Sequence, residues 1–188
     1  LKKNSAAQPG DALVLGKPLG VGIYSAALKK GLLSQAGYAD MRRVTTTLNR
    51  AGAALAQWPS VHAMTDVTGF GLAGHLLEMC RGARLGAEVV FGKLPLLADA
   101  VQHAQAGVAT GASVRNWTSY GADVRLPHDM PVWQQKLLTD PQTSGGLLVA
   151  CAPDATTQVL ETMRMHGCGE AVVIGHLRAG EARLAVRM

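Results

Sequence analysis

The sequence predicts an α+β fold, in which a mixed or antiparallel sheet is covered by helices. Amphipathic segments of helical period alternate loosely with short apolar segments of β-prone residues. The last two β-prone segments, residues 172–177 and 183–186, flank Ala179-Gly180 and are predicted to pair as a closing hairpin. No internal repeat is visible in the 188 residues. We therefore expect one sheet with helices packed against it.

The first quarter of the chain predicts a strand and two helices. Residues 12–15 form an apolar run that ends at Lys17-Pro18, as expected of a buried strand that leaves through a turn. A short helix is predicted over residues 22–33. A longer amphipathic helix is predicted to begin at Asp40, a favourable N-cap residue, and to end at Trp58-Pro59.

The middle of the chain predicts a strand, a glycine-containing loop and a helix in succession. Residues 61–64 are apolar, and the segment 65–69 leads into a helix whose inward positions are Leu72, Leu76 and Met79. A further strand is expected near residues 87–91. Pro95 is placed as in the first turn of another helix.

The remaining elements are predicted from shorter patterns. Residues 107–120 show no clear period, which predicts a long loop. A short helix is expected at 134–138 and a strand at 146–151. The helix that begins at Pro153-Asp154 is predicted to end at Gly167, because a glycine favours the C-terminal cap.

Composition excludes several classes of function. The charge of +5 comes from scattered basic residues, and aromatic residues make up only 4% of the chain, so neither a nucleic-acid surface nor a stacking platform is indicated. Three cysteines lie far apart without a CxxC pair, which predicts neither a disulfide framework nor a zinc site. No apolar run has the length of about 20 residues that spans a bilayer. We expect a soluble protein of the cytoplasm.

The N-terminal end predicts that the sequence is a piece of a longer protein. It opens at Leu1 without an initiator methionine, and residues 1–10 form a polar stretch of the kind found in linkers. We therefore predict a linker remnant at 1–10 and a single domain at 11–188. An N-terminal domain would then be missing from this sequence.

The segment around Asp66 carries the strongest chemical signal. A carboxylate beside glycines, at the start of a helix, suits phosphate and magnesium, because backbone N–H groups bind phosphate and a carboxylate binds the metal. The alternative is that Asp66 or Thr68 merely caps the helix and the glycines form the turn. No GxxxxGK[ST] sequence occurs in this segment, and although residues 69–74 read GFGLAG, we do not interpret them as the GxGxxG dinucleotide fingerprint.

A second polar loop, residues 140–146, precedes an apolar strand. Turn formation accounts for most of it, since Pro, Ser and Gly favour turns and Asp140 can accept from backbone N–H groups two residues on. Its backbone could also contact phosphate. The six histidines show no metal-binding spacing and are predicted to be surface or core residues, and the three cysteines have no identifiable base.

The sequence contains two long motif-like strings, TDVTGFGLAGHLLEM at 65–79 and LLTDPQTSGGLLVA at 137–150. Both resemble signature segments of the selenophosphate synthetases, also called selenide, water dikinases. Residues 9–20 resemble the domain junction of that family, and Arg115-Asn116 resembles its mid-domain loop. This family belongs to the superfamily of aminoimidazole ribonucleotide synthetase, and the resemblance covers essentially the whole chain.

The resemblance implies a two-domain, homodimeric enzyme that makes selenophosphate from selenide, ATP and water and releases AMP and phosphate. The reactive cysteine or selenocysteine and most magnesium ligands would lie in the other domain, so no catalytic residue is expected in this chain. Asp66 alone maps onto a magnesium ligand. ATP would also be bound mostly by the other domain. Residues expected near phosphate or nucleotide are Thr65, Thr68, Gly69, Gly71, Asn116, Thr143, Ser144 and Gly145.

The resemblance has one local departure and leaves two alternatives. Residues 109–113 replace the Pro-Gly-Gly-Thr-like turn that the family usually has before Arg115-Asn116. Related kinases, such as thiamine-phosphate kinases, share the domain architecture but match the two strings less closely. The other alternative is a non-catalytic domain that acts alone in binding or assembly.

Overall fold

The computed structural model describes residues 3–188. Its strands are β1 (Ala12–Leu15), β2 (Val61–Asp66), β3 (Leu85–Val90), β4 (Val124–Arg125), β5 (Leu147–Cys151), β6 (Val172–Ala179) and β7 (Leu184–Arg187). Its α-helices are α1 (Val21–Lys29), α2 (Gln35–Thr46), α3 (Ala51–Leu55), α4 (Gly71–Ala83), α5 (Ala100–Gln105), α6 (Gly111–Tyr120), α7 (Val132–Leu138) and α8 (Thr156–Met165).

All seven strands of this described part of the chain form one sheet, in the order β2-β5-β1-β6-β3-β7-β4. Strand β7 runs parallel to both of its neighbours, β3 and β4, and the other neighbouring pairs are antiparallel. The predicted α+β fold with a mixed sheet covered by helices is therefore confirmed.

Two hydrophobic cores hold the helices on the sheet. The larger core joins the strands to α1, α4, α5 and α7. The smaller core joins β1, β2 and β5 to α3 and α8. Strand β1 is buried along its whole length because it contributes residues to both cores, which explains its uninterrupted apolar sequence.

The predicted hairpin at the C-terminus is wrong. Strands β6 and β7 do not pair with each other, because β3 lies between them and pairs with both. The connection between β6 and β7 passes over Gly86 of β3, where a Cβ atom would lie 3.0 Å from the carbonyl oxygen of Glu181. A distant strand that separates two consecutive strands leaves no trace in the local pattern.

The predicted loop at 107–120 is also wrong, because most of it forms α6. The side chain of Thr110 caps this helix by accepting from the backbone N–H of Ser113 at 3.1 Å. The residues that α6 buries are Ser113, Asn116 and Tyr120. Since two of these three are polar, a search for apolar periodicity misses the buried face.

The bounds of helix α2 and the structure at Pro95 differ from prediction. Helix α2 begins after Ser34, whose side chain accepts from the N–H of Gly37 at 2.9 Å, so Asp40 lies inside the helix. Helix α2 ends at Thr46, whereas the predicted helix continues to Trp58-Pro59, and a separate helix, α3, occupies part of that remaining segment. Pro95 does not begin a helix, because residues 95–97 run extended beside Leu19 and exchange two backbone hydrogen bonds with it.

The N-terminal segment packs against the domain from residue 5 onward. A Cβ atom on Gly82 of α4 would lie 2.8 Å from the Cβ of Ser5, and the N–H of Gly10 donates to the carbonyl of Leu177 at 2.9 Å. The first two residues of the predicted linker lie outside the described residues. Within residues 3–188, no helix has both the length and the apolar character that crossing a membrane requires.

Candidate functional site

Two loops meet at one end of the sheet, where β2 and β5 are neighbours. We call residues 65–71 the aspartate loop and residues 139–146 the glycine loop. Asp66, the last residue of β2, is paired with Leu147, the first residue of β5. Beyond this pair, the N–H of Val67 donates to the carbonyl of Gly146, and the N–H of Gln142 donates to the carbonyl of Thr68, both at 2.9 Å. The two loops therefore form one continuous surface.

Glycines allow the backbones of the two loops to touch. A Cβ atom on Gly145 would lie 2.0 Å from the carbonyl oxygen of Val67, and one on Gly71 would lie 2.7 Å from the carbonyl carbon of Thr139. Gly71 also has a φ of +70°, which L side chains rarely adopt. Gly69 differs, because it is exposed and no atom lies within 4 Å of its Cβ position. Space at Gly69 is therefore open to a ligand.

Asn116 holds the two loops together. Its Nδ2 donates to the carbonyl of Gly69 in the aspartate loop at 2.9 Å and to the carbonyl of Thr139 in the glycine loop at 3.0 Å. The residue is buried on α6, and the hydroxyl of Tyr120, one turn further along, donates to the carbonyl of Phe70. Both protons of the Asn116 amide group are therefore used within the protein.

A buried lysine hydrogen-bonds to the backbone of the glycine loop from inside the domain. Lys17 Nζ donates to the carbonyls of Thr47 at 2.6 Å, Ser144 at 2.7 Å and Val44 at 3.3 Å. Burial lowers the pKa of Lys17 below its usual value. Ser144, whose carbonyl accepts from Lys17, has a left-handed backbone conformation with a φ of 50°. Asn49 adds a bond from its Nδ2 to the carbonyl of Gly145 at 2.9 Å.

Asp140 and Gln142 connect the glycine loop to the start of α1. Asp140 Oδ2 accepts from the backbone N–H of Gly22 at 2.9 Å and of Ile23 at 3.3 Å. Gln142 Oε1 accepts from the N–H groups of Gly20 and Val21 at 3.3 Å each. The sequence had suggested that Asp140 accepts from amides two residues on, whereas the backbone partners found here lie 118 and 117 positions away.

Burial raises the pKa of Asp140 to about 7, although hydrogen bonds from Ile23, Gln142 and Gly22 act in the opposite direction. Its Oδ1 atom is buried and has no hydrogen-bond partner among the described residues. The role of Asp140 is thus to cap a helix inside the protein. It is not positioned to meet a ligand.

Asp66 is the exposed carboxylate of the site. No group of three or more His, Cys, Asp or Glu side chains within residues 3–188 could hold a metal ion by itself. Mg²⁺ is usually held by one or two carboxylates together with phosphate oxygens and water. One exposed carboxylate at a strand end fits a single ligand of such an ion and does not fit a complete metal site.

The structure divides the predicted phosphate-binding residues into two groups. Exposed or half-buried residues that face solvent at the joined loops are Thr65, Thr68, Gly69, Thr143 and Ser144. Buried residues that serve loop packing are Gly71, Asn116 and Gly145. Contact of either group with phosphate stays a prediction.

Sequence patterns missed a histidine that belongs to the site. His75, on the second turn of α4, is buried, and its Nε2 lies 3.0 Å from Thr68 Oγ1. Its Nδ1 lies 3.0 Å from Glu78 Oε2. The expectation of a surface or core histidine covers its burial but not these contacts. The only hint of these contacts in this part of the sequence is the spacing of Glu78 three residues after His75, which places the two side chains next to each other on a helix.

The cysteines give no sign of reactivity. Cys80, Cys151 and Cys168 are buried and are free thiols in the described structure. Burial raises the pKa of Cys80 to about 12 and that of Cys151 to about 11. Since the thiolate is the nucleophile, these shifts oppose nucleophilic chemistry.

Comparison with known proteins identifies the domain. Residues 8–186 match the family described as AIR synthase related protein, C-terminal domain. The chain is 57% identical over 186 residues to a selenide, water dikinase of Paraburkholderia xenovorans (strain LB400) and 59% identical to that of Burkholderia ambifaria (strain MC40-6). Both alignments cover 99% of this chain and 52% of the relative. The chain thus spans about half the length of the curated relatives it matches.

Solved structures support the same fold. E. coli HypE aligns with a TM-score of 0.67 and 19% identity, over 98% of this chain and 48% of HypE. Thiamine-monophosphate kinase from Stenotrophomonas maltophilia K279a aligns with a TM-score of 0.63 and 17% identity, over 98% of this chain and 52% of the kinase. At this identity the likeness concerns the fold alone. The family match, which spans almost the whole chain, shows that the chain belongs to the AIR synthase related proteins as their C-terminal domain.

Proposed function

We propose that this chain acts as the C-terminal domain of a selenide, water dikinase. The whole enzyme would make selenophosphate from selenide, ATP and water and release AMP and phosphate. Support comes from relatives of that name that are 57% and 59% identical to the chain. The reacting groups and most of the ATP site would belong to the other domain, and the full enzyme would be a homodimer in the cytoplasm. Three unpaired cysteines are compatible with that reducing compartment.

Within this function, the joined loops complete a site for phosphate and Mg²⁺. The observation that carries this part of the proposal is the exposed carboxylate of Asp66 beside the open backbone at Gly69. Helix α4 begins at the same loop without a side-chain cap, so the positive end of its dipole adds to the attraction for anions. Asp66 would hold the metal as one of several ligands.

Rigidity is the other contribution of this chain. Asn116, Lys17 and Asn49 hold the carbonyls of the two loops from inside the protein, and the glycines bring the loop backbones together. A loop that is already fixed loses little conformational entropy when it binds phosphate. When bound, Mg²⁺ would neutralise charge on the phosphate oxygens.

A chimeric enzyme tests the proposal. The part of the Paraburkholderia xenovorans relative that matches this chain is replaced by the chain, and selenophosphate and AMP are measured together in the presence of selenide, ATP and Mg²⁺. We expect both products to appear in equal amounts. The unmodified relative and its remaining half alone serve as positive and negative controls.

Other outcomes separate the alternatives. A folded chimera that releases ADP and no AMP would indicate a different kinase, such as a thiamine-phosphate kinase. A folded chimera that binds the nucleotide but releases no product would favour a non-catalytic domain that serves binding or assembly. Either result contradicts the proposal.

A further inference from the structure

Thr68, His75 and Glu78 form a hydrogen-bond chain from the aspartate loop to the surface of α4. Thr68 Oγ1 lies 3.0 Å from His75 Nε2, and His75 Nδ1 lies 3.0 Å from Glu78 Oε2. The His75 side chain is 9% exposed and that of Glu78 is 42% exposed. The ring of Phe70 contacts the imidazole at a centroid distance of 5.7 Å. The histidine is therefore held on both sides while the carboxylate reaches solvent.

The carboxylate of Glu78 determines where the protons of the Thr68–His75–Glu78 hydrogen-bond chain lie. An ionised carboxylate can only accept, so His75 Nδ1 must carry the hydrogen that lies between it and Glu78. A neutral imidazole has one N–H, so its Nε2 is then an acceptor. When His75 is neutral, the hydroxyl of Thr68 therefore donates its only hydrogen to Nε2. Thr68 Oγ1 is left with lone pairs alone for any group outside the protein.

This assignment limits what Thr68 can bind. A phosphate oxygen is an acceptor and would meet the lone pairs of Thr68, whereas a cation or a water bound to it would be attracted. Asp66 is exposed and Thr68 is half-buried, whereas Val67 between them is buried, so both oxygen-bearing side chains are open to solvent on the same short loop.

We propose that His75 and Glu78 are positioning residues that make Thr68 an acceptor for Mg²⁺ or its bound water beside Asp66. This inference rests on the proposed function, and it assigns Thr68 to the metal instead of to phosphate. It also gives roles to two residues, His75 and Glu78, that the sequence did not place in the site.

Nitrogen NMR of the chain tests the proton assignment without any metal. At about pH 8, where histidine is generally neutral, we expect His75 to carry its proton on Nδ1. Glu78→Ala should shift the ring toward the Nε2-protonated form, whereas Glu161→Ala should leave it unchanged, because Glu161 is an exposed helical residue distant in sequence on α8. Protonation of Nε2 in the unmodified chain would overturn the inference.

Manganese binding tests the ligand assignment. In the chimeric enzyme with an uncleavable ATP analogue, Mn²⁺ affinity is measured by electron paramagnetic resonance. Thr68→Val removes the hydroxyl and keeps the shape, and we expect it to weaken Mn²⁺ binding by about tenfold, the lower range for loss of a supporting contact at a metal. Thr68→Ser should retain the affinity, which excludes a folding defect at this position.

The outcomes distinguish this inference from the proposed function. If Thr68→Val leaves Mn²⁺ binding unchanged but weakens binding of the analogue without metal, Thr68 is a phosphate donor and the inference is wrong. If neither changes, the hydrogen-bond chain is only structural, and the inference is equally wrong. Failure of Asp66→Asn to weaken Mn²⁺ binding would instead contradict the proposed magnesium site, while the NMR result would stand independently.

Discussion

Replacing Asp140 by Asn should remove a specific pH dependence of stability. Asp140 is completely buried, and its Oδ2 atom caps the first turn of α1. Asn keeps the shape and can still accept from the N–H groups of Gly22 and Ile23, but it cannot ionise. The substitution therefore separates the charge of the side chain from its role as a cap.

The raised pKa sets the size and sign of the effect. Burial raises the pKa of Asp140 from 3.8 to about 7, so between these values the unfolded chain has released a proton that the folded chain retains. The contribution of Asp140 to the free energy of unfolding is therefore fully present below the pKa of the unfolded state. It is lost as pH rises through the pKa of the folded state. The full change is about 4 kcal/mol, of which about 3 kcal/mol falls between about pH 5 and pH 8.

Urea unfolding of the chain and its Asp140→Asn variant at these two pH values measures the effect. The free energy of unfolding of the variant, relative to the original chain, should rise by about 3 kcal/mol from about pH 5 to pH 8. Asp129→Asn, an exposed loop substitution, should show no such change. A constant difference between chain and variant across this range would refute the argument that Asp140 is buried with a raised pKa.

Three further predictions concern the same loops. Lys17→Met should lower the free energy of unfolding by about 3 kcal/mol, because buried carbonyls lose their donor. Thermal unfolding measures this effect, and an unchanged melting temperature would contradict it. Gly145→Ala should destabilise severely because its Cβ would clash with a carbonyl oxygen, whereas Gly69→Ala should be nearly neutral; equal effects in urea would contradict the packing. Calorimetry of the chain alone with Mg²⁺ and ATP should show weak binding, and low micromolar affinity would place the nucleotide site here.

Strands and helices with a clear apolar pattern could be predicted from the sequence. Strand β1 was predicted with its observed bounds because it is buried along its whole length. Helix α4 was predicted because its inward positions, Leu72, Leu76 and Met79, are all completely buried. In both cases burial alone decides the pattern.

Elements that depend on distant partners could not be predicted. The insertion of β3 between β6 and β7 joins segments about 90 positions apart, and the registers Ala87↔Leu177 and Ala87↔Leu184 have no local signature. Helix α6 was missed because its buried face makes hydrogen bonds and contains few apolar side chains.

The candidate site was predictable in outline only. Glycines and polar residues located both loops, and the resemblance singled out Asp66. The pattern could not reveal that Lys17 binds Ser144 across 127 positions, or that Asp140 caps a helix 118 positions away. Contacts of this kind depend on the tertiary fold. These contacts explain why several residues of the two loops hold the loops in shape and do not face a ligand.

Asp66→Asn in the chimeric enzyme tests the central claim most directly. Selenophosphate formation is measured across a magnesium titration, together with the melting temperature, and Asp129→Asn is the matched control on an exposed loop. Asn preserves shape and hydrogen bonding but removes the charge, so we predict an unchanged melting temperature and a loss of rate of about a hundredfold at low magnesium. A well-folded Asp66→Asn enzyme with nearly normal activity at low magnesium would contradict the assignment.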